Sequence, residues 1–326
     1  KGFIQAGTYK DQSNDIETQK IIYKIKASPY FNVANQIEKE SDIESEFKKG
    51  KIKAVLIFEP NFSKNLETKK VAVVQAITDA TEPNVANTIA NYTSAIIQNY
   101  QSQKKQSNSN PVKVEVQSRM FYNPELKSVF NFVPGVMTVI LMLVSAMMTS
   151  ISITREKELG TMEILLVSPL KPFQVIIGKV FPYIFLSIIN AIVILTLGYF
   201  VFKMPINGSI FLLAFESILF IISALSLGIL ISTVSNSQQT AMMLSLMGLM
   251  LPVIILSGFI FPINSMPLPM QVISNIIPAK WFIIIVKAIM LKGVGIQYIW
   301  KETLILIGMT VFFITLSIKK YKIRLE

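Results

Sequence analysis

The chain has 326 residues, of which 52% are hydrophobic and only 16% are charged. Soluble proteins carry about 25% charged residues, so this composition excludes an ordinary soluble protein and indicates a membrane protein. The formal net charge is +11 without a dense basic block, and we expect no nucleic-acid partner. The absence of cysteine and histidine excludes disulfides, thiolate or imidazole metal sites, and Ser-His-Asp or Cys-His catalysis.

Residues 1–128 contain 18 basic and 14 acidic side chains, whereas residues 129–326 contain 13 and 6. This contrast predicts a soluble domain over 1–128 followed by a membrane-embedded domain over 129–326. Alternating or β-branched runs in the first domain predict strands over 20–26, 52–58, 70–78 and 112–117. Helical spacing predicts helices over 31–49 and 84–103, and the order of these elements suggests a small α/β domain.

The second domain contains long apolar runs, and about 20 such residues in a helix cross the hydrocarbon core of a bilayer. We predict five membrane spans, at about 131–153, 172–202, 208–232, 241–261 and 298–318. Residues 262–297 contain four prolines and a 13-residue, mostly apolar run that is too short to span. We interpret this region as a re-entrant or interfacial hairpin on the outer face.

The segment 319–324 holds four basic residues directly after the last predicted span. The positive-inside rule therefore predicts a cytoplasmic C-terminus, and five spans then make residues 1–128 extracytoplasmic. The first methionine is Met120, so we expect an upstream segment carrying a sixth, N-terminal span. The expected fold class is a multi-pass α-helical membrane protein with a small extracytoplasmic α/β domain.

The loop over 154–171 is rich in charged residues and ends at two proline stops. From the residues alone two interpretations stay open: a surface helix that presents its charges to a cytosolic partner, or a helix that only extends them into water. The letters TREKELGTMEILLVSPLKPFQVIIGK, residues 154–179, resemble the R-E-x-E-x-G-T-x-E-x-L-x-x-S-P signature of type 2 ABC exporter permeases, known as the ABC-2 type. The segments 54–66, 76–86, 122–137, 256–267 and 276–282 are similar to other parts of that family, in the same order.

The resemblance implies a permease subunit in a bacterial inner (plasma) membrane that pairs with a second, identical or paralogous permease chain. Each chain of such a pair docks a cytosolic ABC ATPase, present as a dimer, through the first cytoplasmic loop. By that likeness the ATPase-coupling residues are Arg155, Glu156, Glu158, Gly160, Thr161 and Glu163. The implied cargo is a hydrophobic or amphipathic compound moved outward, in contact with membrane lipid, and a periplasmic adaptor is a further expected partner where the cell has an outer membrane.

The chain has no phosphate-binding loop of the form G-x-x-x-x-G-K-[ST], because Gly178-Lys179 is followed by Val180. We therefore expect no catalytic residues and no cofactor here, with ATP and Mg²⁺ bound by the separate ATPase. The chain is expected to be a transport subunit and not an enzyme.

Glu216 is an acid within a predicted span, where a central charge costs about 2.5 to 3.5 kcal/mol on insertion scales. It is either a group of the transport path or dimer interface, or a protonated or snorkelling residue near the outer end, and we favour the second interpretation. The alternative function for the whole chain is a membrane-anchored receptor or scaffold whose outer domain binds a ligand or partner.

Overall fold

The computed structural model describes residues 4–9, 15–37, 39–107, 112–161 and 172–323. The chain divides into two compact units, Lys1–Ser128 and Val129–Glu326. Each unit has its own architecture.

The first unit is an α/β unit built on a five-stranded mixed sheet. Its strands are β1 Ile4–Tyr9, β2 Phe31–Ile37, β3 Ala54–Phe58, β4 Val71–Asp79 and β5 Lys113–Phe121, in the spatial order β2-β1-β3-β4-β5. Strand β1 pairs in parallel with β2 and β3, whereas β4 pairs antiparallel with β3 and parallel with β5. The helices are α1 Ile16–Ala27, α2 Ser41–Lys48, α3 Phe62–Thr68 and α4 Pro83–Ser107.

The two faces of this sheet carry separate hydrophobic cores because side chains alternate along a strand. On β3, Leu56 and Phe58 face the core that includes Ile21 of α1, Phe62 of α3 and Ile89 of α4. Neighbouring residues of the same strand face the opposite side, where Val55 packs in a cluster with Ile43, Phe47 and Ile77. Helix α2 thus covers one face, and α1, α3 and α4 cover the other.

Strands β3, β4 and β5 and helix α4 confirm the sequence predictions for those segments, but two others were wrong. Residues 20–26 were predicted to be a strand, yet they lie in α1, where Thr18, Ile21 and Ile25 share the buried face at helical spacing. The alternation of Lys and Ile there fits both periods, and contact with the sheet selects the helix. Residues 31–49 were predicted to be one helix, yet β2 ends at Ile37 and only α2 is helical.

The second unit is a bundle of long apolar helices. They are α5 Val129–Glu158, α6 Pro172–Phe200, α7 Ile210–Val234, α8 Gln238–Ser245, α9 Leu251–Leu256, α10 Leu268–Ser274, α11 Pro278–Lys292 and α12 Ile296–Ile323. Five stretches of the described chain are long and apolar enough to cross a membrane: Val129–Glu158, Ile177–Phe200, Ile210–Val234, Gln238–Leu256 and Ile296–Lys320. The expected fold class, a multi-pass helical membrane protein with a small α/β unit, is confirmed.

The fourth of these stretches contains a change of helix type. A π-helical turn, Leu246–Met250, joins α8 to α9 and ends two residues before Pro252. A proline inside an α-helix clashes with the carbonyl four residues earlier, and the wider turn accommodates the ring.

Helices α10 and α11 form a bent pair, with 81° between their axes. The far end of α11 lies beside the start of α7, because Asn207 donates its backbone N–H to the Met290 carbonyl at 3.0 Å and its side-chain amide to the Leu291 carbonyl at 2.9 Å. Helix α9 ends on this same side, since α7 and the α8–α9 stretch cross in opposite directions. The bent pair therefore enters and leaves on one side, as a re-entrant hairpin.

Close contacts between small residues hold the spans together. A Cβ placed on Gly228 of α7 would lie 2.4 Å from the backbone oxygen of Ala146 in α5. Serine hydroxyls also bond between spans, among them Ser145 with Ser187 at 2.7 Å, Ser150 with Ser245 at 2.9 Å, and Ser317 with the Ser226 carbonyl at 2.9 Å. Small residues and serine bonds of this kind are the usual means by which helices associate in lipid.

Candidate coupling site

The end of α5 is a surface turn that a glycine terminates. The Leu159 N–H donates to the Arg155 carbonyl at 3.0 Å, and the Gly160 N–H donates to the Lys157 carbonyl at 3.2 Å. Gly160 has φ +73°, the left-handed conformation that commonly ends a helix and that favours glycine. The charged residues just before it are therefore held in a regular helical turn, and their directions are defined.

Glu156 joins this turn to the second span. One carboxylate oxygen lies 2.6 Å from Lys179 Nζ in α6, and the other accepts the hydroxyl hydrogen of Thr161. Both charged side chains are about one-quarter exposed, so the pair is shielded in part from water. The contact joins two helices that are separated in sequence by the loop 162–171.

Lys157 and Glu158 join the same turn to the third and fourth spans. Lys157 Nζ donates to the Ser232 carbonyl in the last turn of α7. One carboxylate oxygen of Glu158 accepts from the backbone N–H of Gln238 at 2.9 Å and from its side-chain amide at 3.1 Å. Since Gln238 begins α8, a cation meets the carbonyl end of one helix and an anion meets the N–H end of the next.

Arg155 differs from its three neighbours. Its side chain is exposed, and within the described residues its guanidinium makes no side-chain hydrogen bond or ion pair. Its positive charge therefore lies at the surface of this turn. In the described part of the chain no three acidic side chains approach closely enough to hold a metal ion.

The structure thus places the sequence-predicted residues in two groups. Glu156, Glu158 and Thr161 make contacts within the chain, whereas Arg155 and Gly160 lie at the surface. Glu163 lies outside the described residues, as does most of the predicted coupling loop. Sequence reasoning missed the contact of Lys157 with Ser232 and the contact of Glu158 with Gln238. Only Gln238 had a local signal, because Ser237 before it is a typical helix N-cap.

Glu216 lies in α7, away from this turn. Its side chain is fully buried, which contradicts snorkelling, whereas a protonated Glu216 near the outer end stays a prediction. One carboxylate oxygen accepts from the Thr303 hydroxyl of α12 at 2.7 Å, and the other has no hydrogen-bond partner among the described residues.

Residues 8–319 match the model of the family described as ABC-2 family transporter protein. The chain belongs to this family. It is 34% identical over 302 residues to the probable multidrug ABC transporter permease YbhS of Escherichia coli (strain K12), an alignment that covers 92% of this chain and 80% of that protein. It is 28% identical over 269 residues to the inner membrane transport permease YhhJ of the same organism, covering 81% of this chain and 71% of that protein. ABC transporter G family member 20 of Dictyostelium discoideum is 30% identical over 219 residues, 66% of this chain and 30% of that protein.

The resemblance drawn from the signature in 154–179 is therefore confirmed. This chain is a membrane-embedded permease subunit of an ABC-2 transporter, and not an enzyme in its own right. Membership of the family implies association with an ABC ATPase.

Proposed function

We propose that this chain is the membrane subunit of an ATP-driven exporter, and that its ATPase docks at the end of α5 and on the loop that follows. The observation that supports this proposal is the junction of Glu156, Lys157 and Glu158, which bonds the end of the first span to α6, α7 and α8. A force applied at that turn reaches four membrane-crossing segments at once. Packed helices respond to such a force by moving as rigid bodies, because their interfaces have discrete arrangements.

In this mechanism Arg155 is the residue that contacts the ATPase. It is exposed beside an anchored turn, so an acidic group of the ATPase can pair with its guanidinium without breaking a side-chain bond among the described residues. Glu163 and Gly160 take part in the same docking surface by their match to the family signature. The ATPase binds ATP and Mg²⁺, and this chain converts closure of the ATPase dimer into rearrangement of the spans.

The proposed cargo is a hydrophobic or amphipathic compound that moves out of the cytoplasm or the inner leaflet. Two relatives named as multidrug permeases, YbhS and YbhR, support this class. Two permease chains, identical or paralogous, form the transport path between them. We propose Glu216 as a group of that path or of the dimer interface in a state in which α7 and α12 separate, because in the single chain its side chain is fully buried and accepts from Thr303.

We further propose a bacterial inner membrane with the C-terminus in the cytoplasm and residues 1–128 as an extracytoplasmic domain. The basic segment after the last span supports this orientation. A periplasmic adaptor bound to that domain is the corresponding outer partner in a cell with two membranes.

The test is purification of the full-length protein from its own cells in mild detergent, followed by identification of the proteins that copurify. We expect a stoichiometric ATPase with a phosphate-binding loop, and at least a fivefold loss of it with Arg155→Ala. The matched control is Lys319→Ala, which removes an exposed cation next to the last span.

Retention of the ATPase by Arg155→Ala and by Glu163→Ala would contradict the proposed docking surface. Recovery of outer-side partners alone, with no ATPase from the unchanged protein, would instead support the receptor or scaffold alternative.

A further inference from the structure

The start of α11 lies near the mid-depth of the helix bundle. Phe282, near the start of α11, stacks on Phe220 of α7 with 4.2 Å between ring centroids and 1° between planes. Phe220 lies ten residues beyond Ile210, about 15 Å along α7 at 1.5 Å per residue. Because α7 has 25 residues, this is close to its middle, and the start of α11 lies at that depth.

The tip of the re-entrant hairpin is not helical and is exposed on the surface of the single chain. Helix α10 ends at Ser274 and α11 begins at Pro278, so residues 275–277 form an irregular bend. Asn275 and Ile276 are both exposed. Irregular backbone at membrane depth occurs only where protein covers it or where it lines a water-filled cavity, because lipid cannot satisfy its polar groups. In the assembled transporter the exposed bend is therefore covered by protein or lines a water-filled cavity, although its own N–H groups already donate to the Val272, Ile273 and Ser274 carbonyls.

Lys280 places a positive charge at this bend. The residue is 8% exposed, and its Nζ donates to Asn275 Oδ1 at 2.6 Å and to Ser274 Oγ at 3.2 Å. Nζ also lies 4.9 Å from the ring centroid of Trp281. All these partners are uncharged, and within the described residues no carboxylate lies within ion-pair distance of the amine. A buried ammonium without a counter-charge is costly and marks an intramembrane functional site.

The start of α11 adds to the same positive field. Its N-cap residue, Ile277, provides no side-chain hydrogen bond to the first N–H groups of the helix. Pro278 has no N–H and the Lys280 N–H donates to the Ile277 carbonyl at 3.2 Å, so the helix dipole, and not a set of free N–H groups, favours an anion here. The cation and the helix end point to the same class of ligand.

We propose that this tip, defined as Ser274, Asn275 and Lys280 with the start of α11, binds the anionic headgroup of an amphipathic cargo. The inference rests on the proposed export function and narrows its cargo to amphipathic anions. The headgroup supplies the missing counter-charge through a charge-assisted hydrogen bond to Lys280. The apolar tail lies against the exposed hydrophobic side chains of α10, among them Val272 and Ile273.

The chain provides its own optical probe for this test. These 326 residues contain two tryptophans, Trp281 and Trp300, so Trp300→Phe, together with Phe at any tryptophan of an upstream segment, leaves Trp281 next to the Lys280 amine as the single fluorophore. The full-length protein carrying these substitutions is placed in phosphatidylcholine nanodiscs and titrated with lysophosphatidic acid. Lysophosphatidylcholine with the same acyl chain is the matched ligand without net charge. We expect the anionic ligand to change Trp281 emission at a concentration at least tenfold lower than the zwitterionic one.

Three substitutions and one control identify the binding group. Lys280→Met removes the charge, and Asn275→Asp places a carboxylate next to it; each should weaken binding of the anionic ligand at least tenfold. Lys280→Arg keeps the charge and should stay within about threefold of the parent protein. Lys301→Met removes an exposed cation from α12 and should have no effect.

Equal affinity for the two ligands, or unchanged binding in both Lys280→Met and Asn275→Asp, would overturn the inference. If Lys280→Met does not fold, Asn275→Asp decides, because it retains the lysine. The titration needs no ATPase, so its failure is distinct from a failure of the proposed export function, which the copurification detects.

Discussion

Glu158, the last residue of α5, accepts two hydrogen bonds from Gln238, the first residue of α8, at 2.9 and 3.1 Å. The carboxylate thereby acts as a cap supplied by another helix. Removing a cap destabilises the first turn of a helix, so Glu158→Ala should lower the opening free energy of the start of α8. Hydrogen exchange of a peptide covering α8 measures this. Glu115→Ala, which removes an exposed acid from β5, is the control, and equal exchange in both variants would contradict the capping role.

Gly160 and Gly178 form a matched pair of glycines on the two sides of the candidate docking loop. Neither would place a Cβ within 4 Å of another group, but only Gly160 has a positive φ, +73°. Gly160→Ala should destabilise the turn by about 1–2 kcal/mol and reduce ATPase recovery, since L-residues are strained in that conformation. Gly178→Ala adds a helix-favouring residue within α6 and should retain or improve stability. Thermal unfolding of the purified complex compares the two, and the opposite ranking would show that the turn does not need glycine.

The contact of Gly228 with Ala146 predicts a packing defect when a methyl group is added. Gly228→Ala would put the new Cβ 2.4 Å from a backbone oxygen, so α5 and α7 must separate. Overpacking of this kind costs about 1–3 kcal/mol. Gly308→Ala is the control, because a Cβ on Gly308 of α12 meets nothing within 4 Å. Loss of thermal stability in both variants, or in neither, would show that the close approach of α5 and α7 does not set the stability of the bundle.

Glu17 makes the stability of the α1–α4 contact depend on pH. Its carboxylate accepts from the Tyr100 hydroxyl and lies 3.1 Å from Lys20 and 3.2 Å from Lys104. Burial alone raises the pKa of Glu17, but the hydrogen bonds from Tyr100, Lys20 and Lys104 outweigh it and hold the pKa below its ordinary value of 4.5.

A folded-state pKa below the unfolded value stabilises the fold above about pH 4.5, and this contribution is lost as the pH falls through the lower folded-state pKa. Glu17→Gln should therefore increase hydrogen exchange in α1 and α4 at pH 7, with the difference from the parent protein shrinking below pH 4.5. Exchange rates corrected for the intrinsic effect of pH provide the measurement. A difference that stays constant across this range would mean that the carboxylate charge does not contribute.

The positions of the membrane spans could be predicted from sequence because hydrocarbon imposes a local rule, that each crossing is about 20 consecutive apolar residues. The signature in 154–179 likewise identified the family, since its spacing is local. The strand predicted over 20–26 was wrong, because the local pattern there does not distinguish a strand from a helix. Its alternating Lys and Ile fit a strand as well as the α1 helix, and burial of Ile21 and Ile25 against the sheet decided between them.

The contacts of the candidate sites depended on tertiary structure alone. Glu158 meets Gln238 across 80 residues, and Glu216 meets Thr303 across 87, separations that carry no periodic signal. Lys280 stood in a proline-rich region whose depth only the stacking of Phe282 on Phe220 revealed. The sequence by itself determined which segments enter the membrane, because that depends on the apolar character of each segment. Packing decided which charges are paired and which are buried alone, because that depends on neighbours distant in the chain.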